Sequence, residues 1–242
     1  MKAIEVKILD KKYEIFGYPE EFWFEFLKEE GEYFEQNGFD LSSLRELIKP
    51  NMVCLDIGAS YGLFTLAMSQ LAKKVIAFEP DWHAIQNTVM GIQNVELYKW
   101  IIGKQDCYGD FIVDEKFRTS NHFIPNPKGH AFCSTIDSLE LEQVDFVKID
   151  AEGSEVDILE GMRSTLQRFK PLVLLEFNPY AFITYRNLTP RDALYDIMQF
   201  FTKVGYYQDN QLIPITDPEE FLGLLQEETN FHKQVKDLLC EV

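Results

Sequence analysis

The sequence predicts an α/β fold with a mostly parallel sheet and helices on both faces, and three observations lead there. After Pro50, short apolar runs alternate with helical stretches. Strands are predicted at 53–57, 74–78, 95–102, 146–149 and 172–177, with helices at 63–72, 82–90 and 154–166 between them. Alternation at such short spacing is the pattern of strands joined by crossover helices. The third observation is local: Val53-Cys54-Leu55-Asp56-Ile57 runs straight into Gly58-Ala59-Ser60-Tyr61-Gly62, a strand entering a glycine turn that opens a helix.

The remaining elements follow in order. Residues 4–9 and 13–16 alternate apolar and polar positions about Asp10-Lys11-Lys12, which predicts a hairpin. From Glu20 to Gln36 the pattern turns helical, with Phe22, Trp23, Phe26 and Leu27 on one side and Glu21, Glu25, Glu29 and Glu32 on the other. This predicts a helix whose apolar side packs on the core; a sharper reading makes the segment a lid. Residues 103–144 break the rhythm: Phe111-Ile112-Val113 reads as a short strand and Arg118–Gly129 as a loop. Thr189 and Pro190 open a helix to about Lys203. Strands at 206–208 and 211–215 meet at Asp209-Asn210, and a last helix spans 218–226. One domain over residues 1–242 is expected, with 1–45 as an N-terminal extension or lid and 46–242 as the Rossmann-like core.

Composition narrows the function. The 242 residues carry 23 Lys and Arg against 40 Asp and Glu, a net charge of -17. Nucleic-acid binding draws on cationic side chains that neutralise phosphates, so no nucleic-acid partner is expected. The four cysteines (Cys54, Cys107, Cys133, Cys240) form no C-x-x-C pair, which suggests neither a zinc site nor a disulfide framework. No apolar run reaches ~18 residues and no signal peptide is evident, so no membrane partner and a cytoplasmic location are expected. Oligomeric state is not encoded in any motif.

Three segments carry chemistry. The first, Asp56-x-Gly58-x-x-x-Gly62, lacks the G-x-G-x-x-G that cradles a pyrophosphate. Asp56 just before the turn would repel a pyrophosphate but suits a cationic amino group, and S-adenosylmethionine has one together with a sulfonium. Open N–H groups at the helix start would face the ligand. The second is Val75-Ile76-Ala77-Phe78-Glu79-Pro80. Glu79 ends the next strand 23 residues after Asp56, where Rossmann-like folds place an acid for ribose hydroxyls. Trp82 and His83 are candidates to flank an adenine. The third, Lys148-Ile149-Asp150-Ala151-Glu152-Gly153-Ser154-Glu155, crowds carboxylates at a strand's C-terminal end. Ser154 and Asp157 fit a capping box, leaving Asp150 and Glu152 as the catalytic candidates.

Together with Ser134-Thr135-Ile136-Asp137-Ser138-Leu139, these segments resemble the FkbM-type S-adenosylmethionine-dependent methyltransferases over about residues 31–180. The resemblance implies a class I methyltransferase sheet of seven strands, mostly parallel with the last antiparallel, behind a small hairpin-plus-helix extension. It implies S-adenosyl-L-methionine as cofactor, bound by Asp56, Gly58, Ser60, Gly62, Glu79 and Pro80, and methylation of a hydroxyl on a small molecule, sugar or natural product. Ser60 stands where the family often has Asn, and Lys104 where an acid often closes the third strand. Asp150, assisted by Glu152, is expected to take the acceptor proton, its basicity raised by burial and neighbouring charge. His122 and His130 are alternative bases. Metal binding stays open: Asp150, Glu176 and Asn178 offer oxygens suited to Mg²⁺. The competing functions are a non-catalytic S-adenosylmethionine-binding module and a nicotinamide-dependent oxidoreductase.

Overall fold

The structure is a computed structural model and describes residues 1–242 except 34, 37, 114–120 and 229–233. Its centre is an eight-stranded sheet. From one edge to the other the strands run Val95–Tyr98, Lys74–Phe78, Val53–Ile57, Phe146–Ile149, Leu172–Phe177, Lys236–Glu241, Lys203–Gln208 and Gln211–Pro214. The first five are mutually parallel, and Lys236–Glu241 runs antiparallel to both of its neighbours. The expected reversed last strand is therefore present, inserted between two strands that precede it in the chain. The strand count differs from the expected seven. Asp209 and Asn210 both adopt positive φ (48° and 58°) and fold Gln211–Pro214 back as a two-residue hairpin, which adds the eighth strand.

Both faces of this sheet are buried, as a parallel sheet requires, and successive residues serve opposite layers. Leu55, Ile57, Val147, Ile149, Val173 and Leu175 pack with Ile158, Leu159, Leu194 and Ile197 from helices on one face. Cys54, Val75, Ala77, Phe146 and Leu174 join the other cluster, which includes Leu66, Ala67 and Met68 of the Leu63–Ser69 helix. The N-terminal hairpin, Lys2–Ile8 paired with Lys11–Gly17, belongs to this second layer. So does the Phe22–Glu30 helix: Val6, Ile8, Ile15, Phe24 and Leu27 are all part of that core.

Several element bounds differ from expectation for local reasons. The first helix stops at Glu30, because Gly31 takes the left-handed conformation (φ 65°) and its N–H bonds Leu27. The expected 95–102 strand ends at Tyr98; Ile101–Ile102 instead pairs with Ala131–Ser134. This second sheet also holds Cys107–Ile112 and His122–Pro125, a strand where a loop was expected. Residues 118–120 of that expected loop lie outside the described residues. The expected 154–166 helix breaks at Met162 into Glu155–Gly161 and Arg163–Phe169. Asp137 starts the second piece, its carboxylate accepting the Ser164 and Thr165 N–H groups at 2.8 Å. Pro190 does open a helix, but that helix ends at Met198. The Pro179–Arg186 helix and the strand at 236–241 had no counterpart in the sequence reading.

Candidate active site

The order in which strands are added reverses between Val53–Ile57 and Phe146–Ile149, and in open α/β sheets ligands bind at such a switch point, beyond the strands' C-terminal ends. A cavity of about 890 Å³ opens there. Asp56 and Glu176 lie within the two strands that flank Phe146–Ile149, while Glu79 and Asp150 each sit one residue past a strand end. Parallel pairing levels these ends, so that Ile57 aligns with Phe78 on one side and Ile149 on the other. Asp56, Gly58, Ser60, Glu79, Pro80, Asp150 and Glu152 all line the cavity. Gly62 does not; it sits behind the turn at φ 88°, capping the Leu63–Ser69 helix.

The glycine turn is closed on itself rather than open to a ligand. The N–H groups of Gly58 and Ala59 bond the Phe78 carbonyl, that of Ser60 bonds Glu79 Oε2 at 2.8 Å, and that of Gly62 bonds Ala59. These bonds tie the turn to the neighbouring strand end, and the N–H groups expected to face a ligand are those of the helix start after Gly62. Gly58 is sterically required. It holds φ 84°, and a Cβ there would lie 1.8 Å from the Asp150 carbonyl oxygen. Glu79 receives a second N–H, from Asp81 at 2.7 Å on Oε1. Each of its oxygens thus keeps a lone pair for a further donor, the arrangement that adjacent ribose hydroxyls need. Burial pushes the Glu79 carboxyl up to about 7 against the pull of those two N–H groups. Asp56, buried and bonded by the Thr65 hydroxyl, is raised by burial to about 6.

Deeper along the sheet edge the acids have a different setting. Carboxylate oxygens of Asp150, Glu152 and Glu176 lie within 4.8 Å of one another. Burial first, then mutual repulsion, holds Glu152 and Glu176 well above the usual carboxylate range. Asp150, with 21% of its side chain exposed, has the Lys148 ammonium 3.7 Å away. Lys148 is 1% exposed, donates to the fully buried Asp237 at 2.8 Å and lies over the Phe64 ring at 4.9 Å. Its neighbours Asp237, Asp150 and Glu176 raise its affinity for its proton despite burial. The carboxyls of the cluster that hold their protons most firmly are thus Glu152 and Glu176, beside Asp150.

Other candidates move. Asn178 has a structural task beside the acids: Oδ1 caps the Pro179–Arg186 helix at Ala181, and Nδ2 faces Glu152 and Glu176 at 3.5 Å. Trp82 and His83 stack on each other away from the cavity, with Lys99 over the Trp82 ring. Lys104 pairs with Asp157 at 3.3 Å. Ser154 accepts a hydrogen bond from Arg186, and no capping box forms. Of the two loop histidines, His122 lines the cavity, stacked on Tyr185 at 4.1 Å, whereas His130 does not. Sequence reasoning missed Lys148 and Asp237 as an ion pair, and Trp23, Trp100, Tyr180 and Tyr185 as cavity walls. A lysine amid a buried apolar strand was the one available signal.

The groups present fit S-adenosylmethionine: a glycine turn that admits no Cβ, an acid with free lone pairs at the next strand end, and buried carboxylates for cationic groups. The chain matches the methyltransferase FkbM domain over residues 56–207. No curated protein matches it in sequence. Among solved structures it is similar to an FkbM methyltransferase from Methylobacillus flagellatus (16% identity, TM-score 0.46, 72% of this chain and 49% of that one). It is also similar to a putative methyltransferase from Streptococcus mutans in complex with SAH (16%, 0.43, 84% and 94%). A third is a precorrin-6y C5,15-methyltransferase from Geobacter metallireducens (13%, 0.44, 83% and 85%). The chain spans about half the length of the Methylobacillus protein. With the match covering well over half its length, the chain belongs to the FkbM family of S-adenosylmethionine-dependent methyltransferases.

Proposed function

We propose that this protein transfers a methyl group to a hydroxyl of a small, uncharged or cationic ring-bearing acceptor, a sugar or natural product, without a nucleic-acid partner. The observation that carries the reading is one cavity whose lining joins Glu79 and the glycine turn with Asp150 and Glu152. Its volume is near the top of the ~300–1,000 Å³ usual for small-molecule sites, room for a cofactor and a modest acceptor. Lys148 is the one Lys or Arg among the described lining residues, and its ammonium is engaged by Asp237, so an anionic acceptor finds no uncommitted Lys or Arg among them.

S-adenosylmethionine supplies an activated methyl on a sulfonium. Asp56, Ser60, Glu79 and Pro80 hold it, with Gly58 and Gly62 giving the turn its path. What is left to the protein is alignment and removal of one proton. Asp150, half-buried at the cavity wall, takes the acceptor's proton, and Glu152 shares it. The Lys148 ammonium stands 3.7 Å from Asp150 and holds its carboxylate in place. Calorimetry should show S-adenosylhomocysteine binding and no NAD binding. With labelled methyl donor and a panel of neutral hydroxylated ring compounds, Asp150→Asn should retain cofactor affinity and lose about 10²–10⁴ of turnover. Near-normal turnover in that variant would remove Asp150 from the chemistry. Cofactor binding with no transfer to any acceptor would favour a non-catalytic module.

A further inference from the structure

The family match begins at residue 56, yet one wall of the cavity comes from residues before it. Tyr18 and the Phe22–Glu30 helix provide that wall. Phe22, Trp23 and Phe26 face the cavity in edge-to-face contacts of 5.9 and 5.4 Å, the buried Leu27 lines it beside them, and Phe24 is buried in the core. Such an array of ring faces and edges suits the flat or CH-rich side of a ring. Its position relative to the cofactor half rests on Glu21. This residue is the helix N-cap, and its Oε2 accepts the Phe24 N–H at 2.8 Å and the Tyr61 hydroxyl at 3.1 Å. Tyr61 belongs to the glycine turn, between Ser60, which donates to Glu79, and Gly62. A continuous run of bonds therefore joins Glu79, the turn, Glu21 and the aromatic helix.

Capping alone does not account for a glutamate here. Caps are ordinarily short side chains such as Ser or Asp. Glu21 is fully buried, and its Oε1 has no partner among the described residues, a costly placement for a carboxylate. The extra length is what reaches Tyr61.

We propose that Glu21 is a positioning residue that couples the cofactor turn to the aromatic wall, so that filling the cofactor half fixes the acceptor half. The proposal rests on the placement of S-adenosylmethionine at the 56–62 turn and Glu79. It implies ordered binding, cofactor before acceptor.

Hydrogen exchange on the full chain with and without saturating S-adenosylhomocysteine tests it without an acceptor. In the wild type, exchange should slow at least several-fold in peptides covering 58–63 and in those covering 22–27. Tyr61→Phe removes only the hydroxyl; it should keep the protection of 58–63 and lose most of the protection of 22–27. Glu21→Gln retains an oxygen able to accept both bonds and should behave as wild type. Undiminished protection of 22–27 in Tyr61→Phe would mean direct ligand contact rather than coupling, and overturns the proposal. Wild-type protection confined to 58–63 overturns it as well, and needs no variant to fold. Protection of neither segment overturns the cofactor placement beneath it.

Discussion

Glu79 and Glu176 occupy equivalent stations, both at strand ends of one parallel sheet, both almost wholly buried, both lining one cavity. Their surroundings differ. Glu79 takes an N–H on each oxygen from residues within 20 positions of itself, and burial leaves it near 7. Glu176 has other carboxylates for neighbours, with Lys148 the cation acting on it, and is held well above the usual range. One acid sits in a polar cradle built by its own βαβ unit. The other sits in a charge cluster assembled from distant segments, where each member's proton affinity depends on the rest. A backbone cradle persists when side chains change, whereas a charge cluster does not, and that difference can be tested.

The cradle should fail only when its backbone path is blocked. At Gly58 a Cβ would overlap the Asp150 carbonyl at 1.8 Å, and φ 84° is closed to ordinary side chains. Gly58→Ala should cost on the order of 5 kcal/mol or more, as forced backbone displacement does, and abolish measurable S-adenosylhomocysteine binding. Urea unfolding and calorimetry read both effects. A variant that is folded and binds normally would show that the two strand ends are not in contact.

The cluster should be most sensitive at its cation. Lys148→Met strands Asp237, fully buried, without its donor. Removing one member of a buried pair typically costs about 3–5 kcal/mol, whereas replacing both with apolar groups is often neutral. Lys148→Met should therefore melt far below the wild type, and Lys148→Met/Asp237→Leu should recover most of the loss. A double variant no better than the single one would show that Lys148 serves Asp150 and Glu176 rather than Asp237.

The same division explains what could be read from the sequence. The Asp56–Gly62 turn and Glu79 were legible because strand, turn, helix and strand end lie within 27 consecutive positions (53–79), where periodicity and glycine spacing set the geometry. The parallel core strands were legible for the same reason. The Lys236–Glu241 strand was not, since Lys236-Asp237-Leu238-Leu239-Cys240 is too short to tell strand from helix and its slot between Leu172–Phe177 and Lys203–Gln208 is a tertiary matter. Asp237 could thus not be paired with Lys148, 89 positions away. The wall at Trp23 was hidden likewise, because an aromatic in a helical pattern reads as core whether it faces a core or a cavity, and Tyr180 was hidden because its helix was not read at all.

A smaller effect separates Glu79's role from that of its fold. Carboxylate hydrogen bonds to hydroxyls contribute ~1.5–3 kcal/mol each, so Glu79→Ala should weaken S-adenosylhomocysteine binding about tenfold to several hundredfold. With the free-protein carboxyl near 7, only the ionised form accepts from both hydroxyls, so wild-type affinity should strengthen roughly tenfold from pH 6 to pH 8. Glu79→Gln should lose that slope. Stability moves the opposite way. The folded-state values of Glu79 and Asp56 are raised, so the protons they hold stabilise the fold at low pH, and that contribution is lost as pH rises through about 6 to 7. The ligand-free protein should melt higher at pH 5 than at pH 8. A flat affinity profile in the wild type would take Glu79 out of the site.

The smallest expected effect is that of chelation. Three carboxylates within 4.8 Å are hard oxygen donors of the kind Mg²⁺ takes. Two features argue that their charge is already answered from within the protein. The Lys148 ammonium stands 3.7 Å from Asp150, so a divalent ion would have to share the cluster with a fixed cation. Asn178, the oxygen donor that would complete a trio with Asp150 and Glu176, is held by the Ala181 N–H on that oxygen and turns its amide N–H₂, not the oxygen, toward Glu152 and Glu176. Raised proton affinity at Glu152 and Glu176 adds a competing route to neutrality, since a proton shared between crowded acids relieves the same repulsion. Methyl transfer should stay within about twofold after EDTA, a change under ~0.5 kcal/mol in barrier. Millimolar Mg²⁺ should give no calorimetric binding signal. Activity abolished by EDTA and restored by added Mg²⁺ would reverse the comparison, making the cluster a built cation site and Lys148 a group that must move aside to admit it.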